Sequence, residues 1–141
     1  MDKNFIEYMN LAPKSEQDVK FVPPLVLAYI GDAVYEVYVR QFIIYKYGGN
    51  VNKLHKLSTK FVKAEAQAKI AHAIEEELSE EEWTMIKKGR NQKSGTVPKN
   101  ADLTDYKYAT GFEALIGYLY LLGKTKRIEE IVKRGIQIIE A

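Results

Sequence analysis

The sequence predicts an all-α domain. Three observations carry that reading. Apolar residues recur at helical spacing in the long segments, no segment alternates with period two over a useful length, and helix start and stop signals divide the chain. At 141 residues the chain is long enough to bury one good core.

The elements follow in order. Pro23-Pro24 can open a helix, because proline suits the first turn. That helix should run to about Tyr47, ended by Gly48-Gly49-Asn50. A short helix from about Asn52 to Leu57 is expected next, then an Ala- and Lys-rich one from about Thr59 to Glu77. Ser79 and Glu82 have the spacing of a capping box and open a helix to about Lys88. From Gly89 to Ala101 the chain reads "GRNQKSGTVPKNA", aperiodic and broken by glycine and proline, so a loop. Thr104 or Asp105 is placed to cap the next helix, which ends at Gly123. Ile128, Ile131, Val132, Ile136 and Ile139 give helical spacing for a last helix from about Lys126.

Composition excludes several classes. No apolar run follows Met1-Asp2-Lys3-Asn4, so no signal peptide is expected. The stretch from Val22 to Tyr47 is apolar enough to suggest a membrane span, but Asp32, Glu36, Arg40 and Gln41 interrupt it. The absence of cysteine removes disulfides and thiolate metal sites and fits a cytoplasmic protein. The net charge of +2 says little as a total; its distribution is the informative part.

Two carboxylates stand out. "LAYIGDAVYEVYVR", Leu27 to Arg40, reads as the middle of a buried helix, yet it holds Asp32. Residues 32, 36 and 40 share one stripe; Glu36 and Arg40 can pair, which leaves Asp32 with an alanine four positions before and another acid four after. In "GFEALIGYLYLLG", Glu113 is the only charge between Tyr108 and Lys124. A buried carboxylate is costly unless compensated. Convergence of the two on a hard divalent cation, held by oxygen ligands, is one answer. An arginine or a helix N-terminus elsewhere in the fold, meeting each acid separately, is the other.

The charged segments are less specific. Lys87, Lys88, Arg90, Lys93 and Lys99 fall in a stretch without acids, and Asn91 lies among them. Glycine-rich basic loops can lay amides and cations along phosphates, or can simply be solvated. Lys53, Lys56, Lys60 and Lys63 form a second stripe if the short helix continues through Ser58. The acidic run from Glu75 to Glu82 reads as a solvated face. His55 and His72 lack ligand spacing, Ser58 and Ser94 lack a nucleophile's partners, and the ten tyrosines fit core and interface.

"YIGDAVYE" and "TGFEALIGYLYL" together resemble the ribonuclease III catalytic domain, the first its signature helix and the second its C-terminal catalytic helix. "KKGRNQKSGTVPKNADLTDYKYATGFEAL" is close to the small branch, Mini-ribonuclease III, which has no double-stranded-RNA-binding domain. The resemblance covers roughly residues 20 to 135 of what would be one catalytic domain over 1–141. It implies a Mg²⁺-dependent endoribonuclease, with Mn²⁺ as a substitute, that cuts double-stranded RNA to leave 5′ phosphates. Asp32 and Glu113 match the family's central catalytic and metal-binding acids. The family usually has a further glutamate where this chain has Ala28 and an aspartate where it has Thr110, so water or a substitute such as Asp102 or Glu36 would complete the shell. Lys87, Lys88, Arg90, Asn91, Lys93 and Lys99 are the expected RNA-binding residues. A symmetric homodimer is implied, joined through the signature helix at Tyr29, Gly31 and Ala33. The implied substrate is precursor 23S ribosomal RNA in the cytoplasm, with room for a ribosomal protein as helper. A catalytically inactive RNA-binding dimer and a structural helical adaptor are the rival readings.

Overall fold

A computed structural model describes residues 3–92 and 102–141. Among the described residues there are eight α-helices and no strand: α1 (Lys3–Tyr8), α2 (Glu16–Lys20), α3 (Pro24–Lys46), α4 (Val51–Val62), α5 (Ala64–Ile74), α6 (Glu80–Arg90), α7 (Leu103–Leu121) and α8 (Thr125–Glu140). A single 3₁₀ turn, Glu75–Glu77, follows α5. No described helix is long and apolar enough to cross a membrane.

The start and stop signals act largely as expected. Pro24 is the first residue of α3, and Gly48 takes φ +66° just beyond its end. The Ser79 hydroxyl accepts from the Glu82 amide while the Glu82 carboxylate accepts from the Ser79 amide, a complete capping box. Gly123 ends α7 at φ +76°.

Three boundaries differ from expectation. One helix, α4, covers the predicted short helix and continues to Val62, and the break falls at Lys63, which is extended at ψ 155°. Asn50 caps α4 by accepting from the Lys53 amide. α6 takes Gly89 and Arg90 from the predicted loop. Asp102, rather than Thr104 or Asp105, caps α7 by accepting from the Asp105 amide.

α7 is the hub, packed against α3, α5, α6 and α8. Nine of its residues are buried, among them Phe112, Leu115, Ile116 and Leu119. α3 crosses it antiparallel at very short range. A Cβ on Gly31 would fall 1.7 Å from the Glu113 carbonyl oxygen, and one on Gly117 would fall 1.9 Å from the Leu27 carbonyl oxygen. Only glycine at both positions admits this approach. Beside it, Tyr35 packs edge-on to Phe112 and donates to the Phe61 carbonyl at 2.8 Å, which ties α3 to α7 and α4.

Candidate active site

The crossing of α3 and α7 places Asp32 and Glu113 next to each other. Asp32 adjoins Gly31, whose missing side chain lets the Glu113 backbone come close. Asp32 itself is exposed, which corrects its expected burial. The inward face of α3 is Leu27, Ala28, Gly31, Tyr35, Val39 and Ile43, and Asp32 lies outside that stripe. Glu113 is partly buried.

The electrostatics express the convergence. Burial raises the Glu113 pKa most, and the neighbouring Asp32 charge and hydrogen bond raise it further, to about 8. The Gln67 amide opposes this, donating to Glu113 Oε2 at 3.2 Å, and Glu36 adds a smaller push. Among the described residues no lysine or arginine forms an ion pair with Asp32 or Glu113. The alternative of a private arginine for each acid is thereby excluded for those residues. Two adjacent carboxylates lacking a counter-charge, both oxygen donors, fit a hard divalent cation. They are only two: no group of three or more histidine, aspartate or glutamate residues able to hold a metal is found among the described residues.

The expected supporting acids separate. Glu36 faces the site closely enough to act on Glu113, but its carboxylate already accepts from Arg40 Nη2 at 2.7 Å. Asp102 is corrected as a support: it caps the start of α7, eleven positions before Glu113, about 16 Å along the axis. Ala28 is buried, and Thr110 turns its hydroxyl onto the Tyr106 carbonyl at 3.0 Å, so neither replaces the acid the family carries there.

The expected RNA-binding residues also divide. Lys87 and Lys88 are exposed. Lys88 lines a groove with Lys20, Glu80, Glu81 and Tyr118, on a flank of α7 turned about 140° from Glu113. Arg90 is bound within the fold: Nε donates to Asn91 Oδ1 at 3.0 Å, Nη1 donates to the Tyr108 hydroxyl at 3.2 Å, and the guanidinium lies 5.5 Å from the Tyr108 ring centre. Lys93 and Lys99 lie outside the described residues. The second stripe forms in part: Lys63 falls at the extended break beyond α4 and leaves the helix. Because α4 is unbroken, Lys53, Lys56 and Lys60 lie within about 60° of one another, all exposed.

Of the three residues expected at a contact between copies, Tyr29 and Ala33 are on the open face of α3. Gly31 is not: it is buried against α7 of its own chain. The open face is broadly apolar, with Val26, Tyr29, Val37 and Ile44 between 51% and 83% exposed.

A family model described as the ribonuclease III domain matches residues 25–124, which include both helices of the site. The chain belongs to the ribonuclease III family. It is therefore an endoribonuclease of the ribonuclease III type. It is 54% identical to the Mini-ribonuclease 3 of Clostridium tetani over 127 residues, covering 89% of this chain and 84% of that one. It is 45% identical to the Mini-ribonuclease 3 of a Thermoanaerobacter species over 141 residues, covering 99% of each. A crystal structure of a Fusobacterium nucleatum protein superposes with a TM-score of 0.77 at 34% identity, over 85% of this chain and 96% of that one.

Gln67 is the residue beside this pair of carboxylates that sequence reasoning missed. It is 2% exposed, and its signal was positional: residues 67, 70, 71 and 74 form one stripe, otherwise Ile70, Ala71 and Ile74. A glutamine on an apolar stripe needs a buried partner.

Proposed function

We propose that this ribonuclease III-type endoribonuclease cuts double-stranded RNA as a homodimer, with Mg²⁺ or Mn²⁺ at Asp32 and Glu113, and that precursor 23S ribosomal RNA is its substrate in the cytoplasm. The observation that carries the reading is the convergence of two carboxylates from distant parts of the chain with no cation of the protein's own between them. The close match to Mini-ribonuclease 3 relatives supports the substrate class.

Asp32 and Glu113 would hold the ion. A divalent ion there supplies a water of lowered pKa and neutralises charge on the phosphoryl oxygens. Hydrolysis adds water across the phosphorus–O3′ bond and leaves a 5′ phosphate and a 3′ hydroxyl. Each subunit would cut one strand. A-form RNA is read mostly through phosphates and 2′-hydroxyls, so the affinity falls to exposed cations. Lys53, Lys56 and Lys60 on α4 and Lys87 on α6 are the described candidates, with Lys93 and Lys99 beside them in sequence. Arg90 and Asn91, locked together at the end of α6, would fix where that basic segment starts.

The apolar stripe along α3 supports the dimer. Val26, Tyr29, Ala33, Val37 and Ile44 recur at three-, four- and seven-residue spacing on one exposed face. An exposed stripe of that kind marks a protein partner. Asp32 and Glu36 border it, so two copies joined there would carry their sites near the shared surface.

Cleavage of duplex RNA with Mg²⁺, and again with a chelator, tests the proposal. Magnesium-dependent cutting of both strands is expected. Duplex binding without cutting, at any Mg²⁺ or Mn²⁺ concentration, would leave an RNA-binding dimer instead.

A further inference from the structure

We propose that Gln67 is a positioning residue: its side-chain amide fixes the Glu113 carboxylate and so sets the affinity of the site for its divalent ion. The inference rests on the metal-dependent reading above and assigns it a residue outside the family's acids.

Gln67 lies on α5, a third helix at the site, and is 2% exposed. Its Nε2 donates twice, to the Val62 carbonyl at 2.8 Å and to Glu113 Oε2 at 3.2 Å. Both neighbours are acceptors, so the amide has one workable orientation, with its NH₂ toward them. The bond to Val62, the last residue of α4, anchors the amide to the backbone. Glu113 Oε2 is therefore held by a group that cannot rotate away. The same orientation leaves Gln67 Oε1 buried with no partner among the described residues. A leucine or methionine would fill the space without that cost. What the glutamine adds is a fixed donor on the one partly buried carboxylate of the site. Partners of metal-holding side chains orient them in this way, and their loss typically weakens metal binding about tenfold or more.

The test is Mn²⁺ binding by the RNA-free full chain, followed by calorimetry, for wild type, Gln67→Met and Glu113→Gln. Gln67→Met should bind Mn²⁺ about tenfold more weakly. It should also need about tenfold more Mg²⁺ for half-maximal cleavage, and added Mg²⁺ should recover most of the lost rate. Unchanged Mn²⁺ affinity, with or without a lower melting temperature, would overturn the proposal and leave the nuclease reading standing. Absence of Mn²⁺ binding by the wild type would remove the metal reading and this inference with it. Should Gln67→Met fail to fold, the wild-type side-chain amide resonances of Gln67 decide. They should move during a Mg²⁺ titration and stay still in Glu113→Gln; resonances unmoved in the wild type refute the positioning role.

Discussion

Glu82 and Glu113 are both drawn into the protein, on helices that pack together, and they end in opposite states. Glu82 is 9% exposed. Burial pushes its pKa up, but Arg127, donating to both carboxylate oxygens at 2.8 and 2.9 Å, and the Ser79 amide outweigh that and hold it below the ordinary range. Glu113 faces Asp32 and an uncharged amide, and burial wins. The first glutamate uses its charge inside the fold, joining α6 to α8. The second has no ion-pair partner among the described residues and holds a proton up to about 8, so its carboxyl is left for a cation from outside the fold, and that difference marks a candidate site more sharply than burial alone.

The largest effect expected from this contrast is on chemistry. Asp32→Asn and Glu113→Gln should each lower duplex cleavage by about 10³-fold, the loss of a few kcal/mol of transition-state stabilisation. Neither should lower the melting temperature near neutral pH, since burying Glu113 beside Asp32, which raises its pKa to about 8, costs stability there and each change lessens that cost. Comparable cleavage by either variant would break the contrast. Glu82→Gln should do the reverse. Loss of the Glu82 charge should cost about 2 kcal/mol in urea unfolding, less than breaking a fully buried pair because Arg127 keeps Glu130 and the Glu77 carbonyl and reaches water. Its cleavage rate, measured where it is fully folded, should stay within about twofold.

The pH dependence of stability sharpens the comparison. Unfolded, both glutamates ionise near 4.5. Folded Glu113 keeps its proton up to about 8, so between those values the folded state binds more protons and stability falls as pH rises. Glu82 contributes stability that is present above 4.5 and lost as pH falls through its lowered folded pKa. Melting temperatures of the metal-free protein should therefore decline from about pH 5 to about pH 8. Glu113→Gln should flatten that decline, and Glu82→Gln should leave it in place. The smallest effect concerns docking. Replacing Lys53, Lys56 and Lys60 together with glutamine should reduce the salt slope of RNA binding by up to about 0.9 for each phosphate no longer neutralised. The same change at Lys88, which lies among Glu80, Glu81 and Lys20, should alter it less.

Much of this is legible in the sequence where one residue type has one local use. Pro24 starts α3, Ser79 and Glu82 box α6, Gly123 stops α7, and Glu36 pairs with Arg40. Asp32 and Glu113 stand out because nothing on their own helices can neutralise them. The sequence misleads where tertiary packing decides. No glycine or proline marks the turn at Lys63, so the pattern suggests a break between α4 and α5 that is too early. Gly31 signals a close backbone approach, but the sequence does not say to which backbone, and the answer is α7 of the same chain. Asp102 reads as a spare acid and is a helix cap. α2 is too short for apolar periodicity to reveal, although Ser15 and Asp18 form a capping box as complete as that of α6.

The central claim is that Asp32 and Glu113 share a hard cation that Glu82 has no part in holding. Calorimetric titration of the RNA-free chain with Mn²⁺ at about pH 7.5, where metal ligands lose their protons more readily, addresses it directly. Binding by wild type and Glu82→Gln, abolished in both Asp32→Asn and Glu113→Gln, is the predicted result. Wild-type affinity in the Asp32→Asn, Glu113→Gln double variant would contradict it.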